Sequence, residues 1–350
     1  MALNLTIKYS SLIDERFKLQ SLTDRYAGKK YEFDGAKSIK VYSIDKVTLN
    51  DYDRAAPGTR YGTVTELGDT VQTMTLTQDK AFTFSIDHGN ASDQLNVKHC
   101  NEQLKSNWDE VCTPVIDKYR LAKWINGAGL TALNGAALTS ETVMRAILTG
   151  ASALSNAMVP KSGRVLFIKE SVYVETKLSK EIAGIDSLGE KAIANGIVGR
   201  IDGMDVVPVI DSFMPVGVSF LIKHKDATVD PVKLQTLRVQ KNPLGYDADI
   251  GECRFYHDSF VLDNKIGGIY VHSTSGTAMP AVSIASNSAT VTCATSGSTI
   301  RYTTDGTNPK TSETAATYSA AVPLAAGKTI RAYAYKSGLL SSGVTAAVNE

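Results

Sequence analysis

Gly127-Ala-Gly129-Leu-Thr-Ala132 has the spacing with which glycine-rich turns cradle a dinucleotide pyrophosphate. That chemistry needs a strand running into the first glycine and a helix opening from the last. Here a helical pattern precedes it, so the glycines read as a helix stop and loop. Two nearby carboxylates, Asp51 and Asp53, could share acid and base work on a glycosidic bond. They sit among turn formers beside Arg54 and Arg60, where solvation or ion pairing is the expected state. The histidines (His88, His99, His224, His257, His272) never fall at metal-ligand spacing. The cysteines (Cys100, Cys112, Cys253, Cys293) include no Cys-x-x-Cys pair and read as free thiols of a reducing cytoplasm. Gly-x-Ser-x-Gly, Gly-x-x-x-x-Gly-Lys and His-Glu-x-x-His are absent. No catalytic residue, cofactor site or metal site is expected.

The elements that would position side chains are easier to read. Ile39, Val41 and Ser43, then Val47 and Leu49, alternate with polar residues as a strand does, and the period returns at Val71–Thr77 and Phe82–Ile86. Between them lies a turn-rich stretch, Asn50-Asp-Tyr-Asp-Arg-Ala-Ala-Pro-Gly58. The pattern predicts an extended hairpin over 38–87. A lone two-stranded hairpin is marginal in water, so a neighbouring subunit is expected to support it. Leu104, Trp108, Val111, Val115, Tyr119 and Ala122 form one apolar stripe, predicting a helix that starts near Ser92 or Asp93 and ends at Asn126-Gly127. At 1.5 Å per residue it would reach roughly 50 Å, with Pro114 bending it. A second helix is predicted over about 140–158.

Residues 164–272 read as mixed α/β. Strands are expected at 165–168, 204–210, 219–222 and 268–272, with helical or irregular pieces at 169–180 and 231–237. At Ser273 the composition turns to Ala, Ser and Thr with few charges, and short β runs recur between turns, the pattern of a small β-sandwich. The domain reading is an arm over 1–37, the hairpin over 38–87, a helix-containing core over 88–272, a linker at 273–277 and a sandwich over 278–350.

With 37 basic and 36 acidic side chains the net charge is +1, which argues against a protein that grips nucleic acid by neutralising phosphates. Apolar residues at 43% suffice for packed cores. No segment reads as a signal peptide, and none approaches the ~20 apolar residues that span a bilayer.

Several ordered stretches resemble the major capsid proteins of tailed bacteriophages, whose fold is named after phage Hong Kong 97. Leu49-Asn-Asp-Tyr-Asp-Arg54, Thr75-Leu-Thr-Gln-Asp-Lys80 and Phe84-Ser-Ile-Asp87 resemble that family's extended loop. Val115-Ile-Asp-Lys-Tyr-Arg120 resembles the end of its long spine helix. Gly199–Pro208 with Ile222–Ala227, then Gly251–His272, resemble its axial core and closing strands. The resemblance covers residues 1–272. Ile300–Pro309, Val322-Pro-Leu324 and Gly327–Ala334 resemble the immunoglobulin-like sandwich found at the C-terminus of chitobiase-type glycosidases.

The resemblance implies an α+β capsid fold with N-arm, extended loop, spine helix and peripheral and axial domains, followed by the sandwich. It implies a virion protein that assembles with itself into hexamers and pentamers around DNA, without sequence-specific binding and without a membrane. A scaffolding protein and a portal are the expected partners. The candidate assembly residues are Asp51, Tyr52, Asp53, Arg54 and Arg60 in the loop and Trp108 and Pro114 in the helix. Tyr302, Tyr318, Tyr333 and Tyr335 are candidates for contact with surface glycans. The alternative from another class is a carbohydrate-binding or glycan-processing protein resting on the C-terminal module.

Overall fold

The computed structural model describes residues 20–31, 33, 37–44, 49–55, 58–62, 64, 66–93, 99–179 and 199–349. Most of the expected N-terminal arm, residues 1–19, lies outside them. The centre is a six-stranded mixed sheet in the order Leu130–Leu133, Ile269–Ser273, Val218–His224, Arg164–Lys169, Met204–Val209, Arg200–Ile201. Arg164–Lys169 is a nearly continuous apolar run because both its faces are covered. Val165 and Phe167 face one layer with Leu121, Trp124 and Ile125 of the long helix. Leu166 and Ile168 face the other, against Val143, Ile147, Ala151 and Leu154 of the helix Val143–Asn156. Gly150 allows that helix to sit on the sheet, since a Cβ there would lie 2.6 Å from the Tyr270 ring.

The long helix runs continuously from Cys100 to Asn126, 27 residues or about 40 Å. It starts later than the sequence suggests. Ser92 and Asp93 belong to a separate short turn, His88–Asp93, and His99 has extended backbone angles. Trp108–Cys112 forms a π-turn in which the Thr113 N–H donates to the Trp108 carbonyl five residues back. That wide turn immediately precedes Pro114, which has no N–H to offer. The inserted residue also rotates the C-terminal half of the helix about its axis. Val111 and Val115, expected on the apolar stripe, are exposed, while Cys112 and Ile116 turn inward.

The expected hairpin over 38–87 divides in two. Ser38–Ile44 pairs antiparallel with Asp69–Thr75. Gln78–Asp87 leaves it and joins Ala248–His257, which pairs in turn with Val232–Lys241. The last strand corrects the helical or irregular reading of 231–237. It forms a hairpin with Ala248–His257 across a tip where Asn242 and Gly245 take positive φ. The hairpin root is also supported locally, because Val41 and Met74 are buried with Leu76, Phe33, Val229 and Leu262. The root is therefore supported within the chain itself.

After Ser273 the chain forms a three-stranded and a four-stranded sheet around Ala289, Val291, Leu324, Ile330 and Ala332. Ser286 and Asn287, both at positive φ, make the two-residue turn between the first two strands, Ala281–Ala285 and Ser288–Thr292. The stretch read as a linker is pinned: Ser273 and Thr277 are buried, and the Thr274 N–H donates to the Gly217 carbonyl at 2.7 Å.

Candidate assembly surfaces and the joint beneath them

Three buried carboxylates lock the helix, the start of the described chain and the hairpin root together. Asp117 accepts from the Ser21 hydroxyl and the Leu22 N–H, each at 2.8 Å, and from the Thr23 hydroxyl. Arg120, one turn on, donates to the Thr23 hydroxyl at 3.2 Å. Asp258 accepts from the Thr77 N–H and hydroxyl, each at 2.8 Å, and from the Tyr119 hydroxyl at 2.7 Å. Asp230 accepts from the Gly28 N–H, the Trp124 indole and the Thr228 hydroxyl at 2.9 Å each, and from the Ser259 hydroxyl. A buried carboxylate is tolerated when its lone pairs are filled in this way.

Lys223 lies inside the same joint. Its ammonium sits 3.3 Å from the Trp124 ring centre and donates to the Thr228 hydroxyl at 2.7 Å. Burial pushes its pKa down to about 7, with Asp230 opposing the shift and Arg120 adding to it. Burial, aided by Arg120, pushes His257 down to about 4, so the ring is neutral near pH 7. These groups hold elements in place, and Arg120, Asp230 and His257 also line surface clefts beside the long helix.

Beyond the joint the hairpin projects. Leu49, Val64 and Tyr61 are 101%, 95% and 83% exposed, and Tyr42, Ile44 and Leu67 are exposed with them. The structure brings the five loop candidates together at the tip. The Asp53 N–H donates to the Arg60 carbonyl at 3.1 Å, and Tyr52 packs edge-on against Tyr61 at 5.0 Å. Trp108 lies elsewhere, edge-on to Phe255 at 5.4 Å in a cluster with Leu104 and Cys253, and Pro114 follows the π-turn. Leu49, Tyr61, Val64 and Leu67 are not among the sequence candidates, although apolar residues inside a polar loop are a signal that could have found them. The buried acids left no such signal.

In the sandwich, Tyr302 and Tyr318 pack edge-on at 6.2 Å, and the Tyr318 hydroxyl accepts the Val291 N–H at 3.1 Å. Tyr333 is buried and stacks on Tyr335, which is 40% exposed. Among the described residues, no group of His, Cys, Asp and Glu is placed to hold a metal, and no helix is long and apolar enough to cross a membrane.

Comparison with known proteins sets this geometry in context. Residues 289–348 match the family model described as Fn3 associated. No curated protein matches the chain significantly. A structure from Mycobacterium phage Che8 superposes with TM-score 0.67 at 15% identity, covering 78% of this chain and 99% of that one. The capsid structure of cyanophage P-SCSP1u gives 0.62 at 13% identity, covering 77% and 93%. The mature capsid of bacteriophage PhiM1 gives 0.61 at 12%, covering 77% and 92%. The chain has the phage capsid fold. It is α+β, and the sequence resemblance and the structural one agree. The capsid fold is covered almost end to end in each neighbour, whereas more than a fifth of this chain lies outside the match. The Fn3-associated match fits an immunoglobulin-like domain at the C-terminal end.

Proposed function

We propose that this chain is the structural subunit of a phage capsid, assembling with itself into hexamers and pentamers of an icosahedral shell around double-stranded DNA. The single observation that carries this is the projecting hairpin. Its root is held by the buried carboxylate of Asp258, while its outer part displays Leu49, Tyr61, Val64 and Leu67 to solvent. Several large apolar side chains exposed on one loop mark a surface that a partner would cover. A second copy of the chain is that partner. Repeated by rotational symmetry, the contact closes rings.

The near-neutral charge suits a wall that encloses DNA without reading it. In this reading the protein is no enzyme, its site of action is the virion, and a scaffolding protein and portal act during assembly in the host cytoplasm. The C-terminal sandwich faces outward, for decoration or attachment. Negative-stain microscopy of the chain, expressed alone and with its scaffolding protein, tests the proposal. Shells, hexamers or pentamers are expected. A stable monomer that hydrolyses chitin oligosaccharides would overturn it in favour of glycan processing.

A further inference from the structure

The sandwich meets the capsid-fold part along a seam of directed contacts. Lys310 extends its ammonium from the sandwich to the end of the long helix and donates to the Asn126 and Ala128 carbonyls at 2.9 and 2.8 Å. Those carbonyls belong to the helix terminus, where no further turn can satisfy them. Asn308, 1% exposed, donates through its side-chain amide to Asp263 at 2.9 Å, and the Thr311 hydroxyl donates to the same oxygen at 3.0 Å. Next along the chain from Ala128, the Val344 N–H donates to the Gly129 carbonyl at 2.8 Å and the Gly343 N–H to the Thr131 hydroxyl at 2.7 Å. Gly343 is needed there, because a Cβ would collide with the Gly129 carbonyl oxygen. Leu340 packs on the core between the sheet and the long helix.

Where these contacts land has two consequences. Leu130–Leu133 is one outer strand of the six-stranded sheet, Arg200–Ile201 being the other, and 343–344 meets it at Gly129 and Thr131. An uncovered outer strand is a template for pairing with another chain. Asp263 is also tied to the hairpin. Its N–H donates to the Gln72 side-chain oxygen at 3.1 Å, and the Gln72 amide donates to the Val261 carbonyl at 2.8 Å. Segment 261–263 thus links the sandwich on one side to the strand Asp69–Thr75 on the other.

We propose that the C-terminal sandwich is a built-in brace: it covers the Leu130–Leu133 edge of the central sheet and, through Asp263 and Gln72, fixes the root of the projecting hairpin. A domain on a free tether would do neither. The brace presents the sandwich at one orientation on every subunit, and it takes the Leu130–Leu133 edge out of competition with the hairpin for partners.

Hydrogen exchange on the unassembled full-length chain tests this, and the readout does not depend on whether shells form. Two variants open the seam: Asn308→Ala with Lys310→Met, and Gly343→Val. Exchange at 129–133, at 262–264 and at Gln72 is expected to rise at least tenfold, while Val291, Ile330 and Ala332 in the sandwich interior stay as slow as in the parent. If Val344 exchanges freely but 129–133 and 262–264 stay within twofold of the parent, the brace is refuted. A Val344 amide that remains protected in both variants refutes the role given to these contacts. Should Gly343→Val not fold, the Asn308 and Lys310 variant decides alone.

Discussion

Replacing Leu49 and Val64 together by aspartate probes the hairpin most sharply. Both side chains are almost wholly exposed in the single chain, so their loss leaves its interior untouched. Full burial of each against a neighbour is worth ~1.5–3 kcal/mol, or ~3–6 kcal/mol for the pair. That corresponds to a loss of roughly 100-fold to 10,000-fold in the association constant for each hairpin contact. Burying an aspartate without a partner deepens the loss. The assay is sedimentation or light scattering over a concentration series, with thermal unfolding of the unassembled chain in parallel. Assembly is expected to need at least about 100-fold more protein while the melting temperature stays within a degree or so of the parent. Equal assembly by the variant would refute the reasoning. So would a fall in melting temperature large enough to explain the defect without any neighbour.

The joint and the buried thiols give further expected outcomes. Lys223 has a folded pKa of about 7 against an ordinary 10.5, so between these values the native state holds fewer protons than the unfolded chain. Stability therefore rises with pH through that window, by up to about 1.4 kcal/mol per unit, and is flat below it. Denaturant unfolding of the parent and Lys223→Met at pH 7, 8 and 9 should show a slope that weakens in the variant, and equal slopes would contradict the assignment. Lys310, also pushed down to about 7 by burial, adds a slope of the same sign that Lys223→Met retains. Asp117→Ala leaves three donors from Ser21, Leu22 and Thr23 unfilled and should cost about 2–3 kcal/mol, with faster proteolysis near those residues. Iodoacetamide at pH 8 should label Cys293 first. Cys100, Cys112 and Cys253 are buried, and burial pushes Cys112 up to about 12, so early modification at Cys112 would contradict the packing.

The alternation at 38–44, the apolar run at 164–169 and the turn-separated strands after Ser273 are legible in the sequence, because each is a local pattern with one dominant period. The break at Thr77-Gln78 is not. Residues on both sides alternate, and what separates them is the choice of partner: Ser38–Ile44 for one strand, Ala248–His257, far along the chain, for the other. The helix stripe is legible only as far as Trp108. A π-turn adds a residue without changing composition, and only the packing of Cys112 and Ile116 discloses the changed phase. Asp117, Asp230 and Asp258 are invisible as structural groups for a related reason. An acidic residue in a sequence reads as surface, and their donors are mostly far away in the chain, such as Thr77 for Asp258 and Gly28 for Asp230. The hairpin tip reads as charged, through Asp51, Asp53, Arg54 and Arg60. Its apolar residues stand in the sequence as interruptions of that polar loop, and the folded geometry adds that they face solvent.

The central claim is that the hairpin is built for a second copy of the chain. A density map of particles assembled from this protein tests it most directly. Leu49, Tyr61 and Val64 are expected to be buried against a neighbouring subunit, with the Asp117, Asp230 and Asp258 contacts retained beneath. Particles in which those side chains remain in solvent, or a protein that forms no particles under any assembly condition, would contradict it.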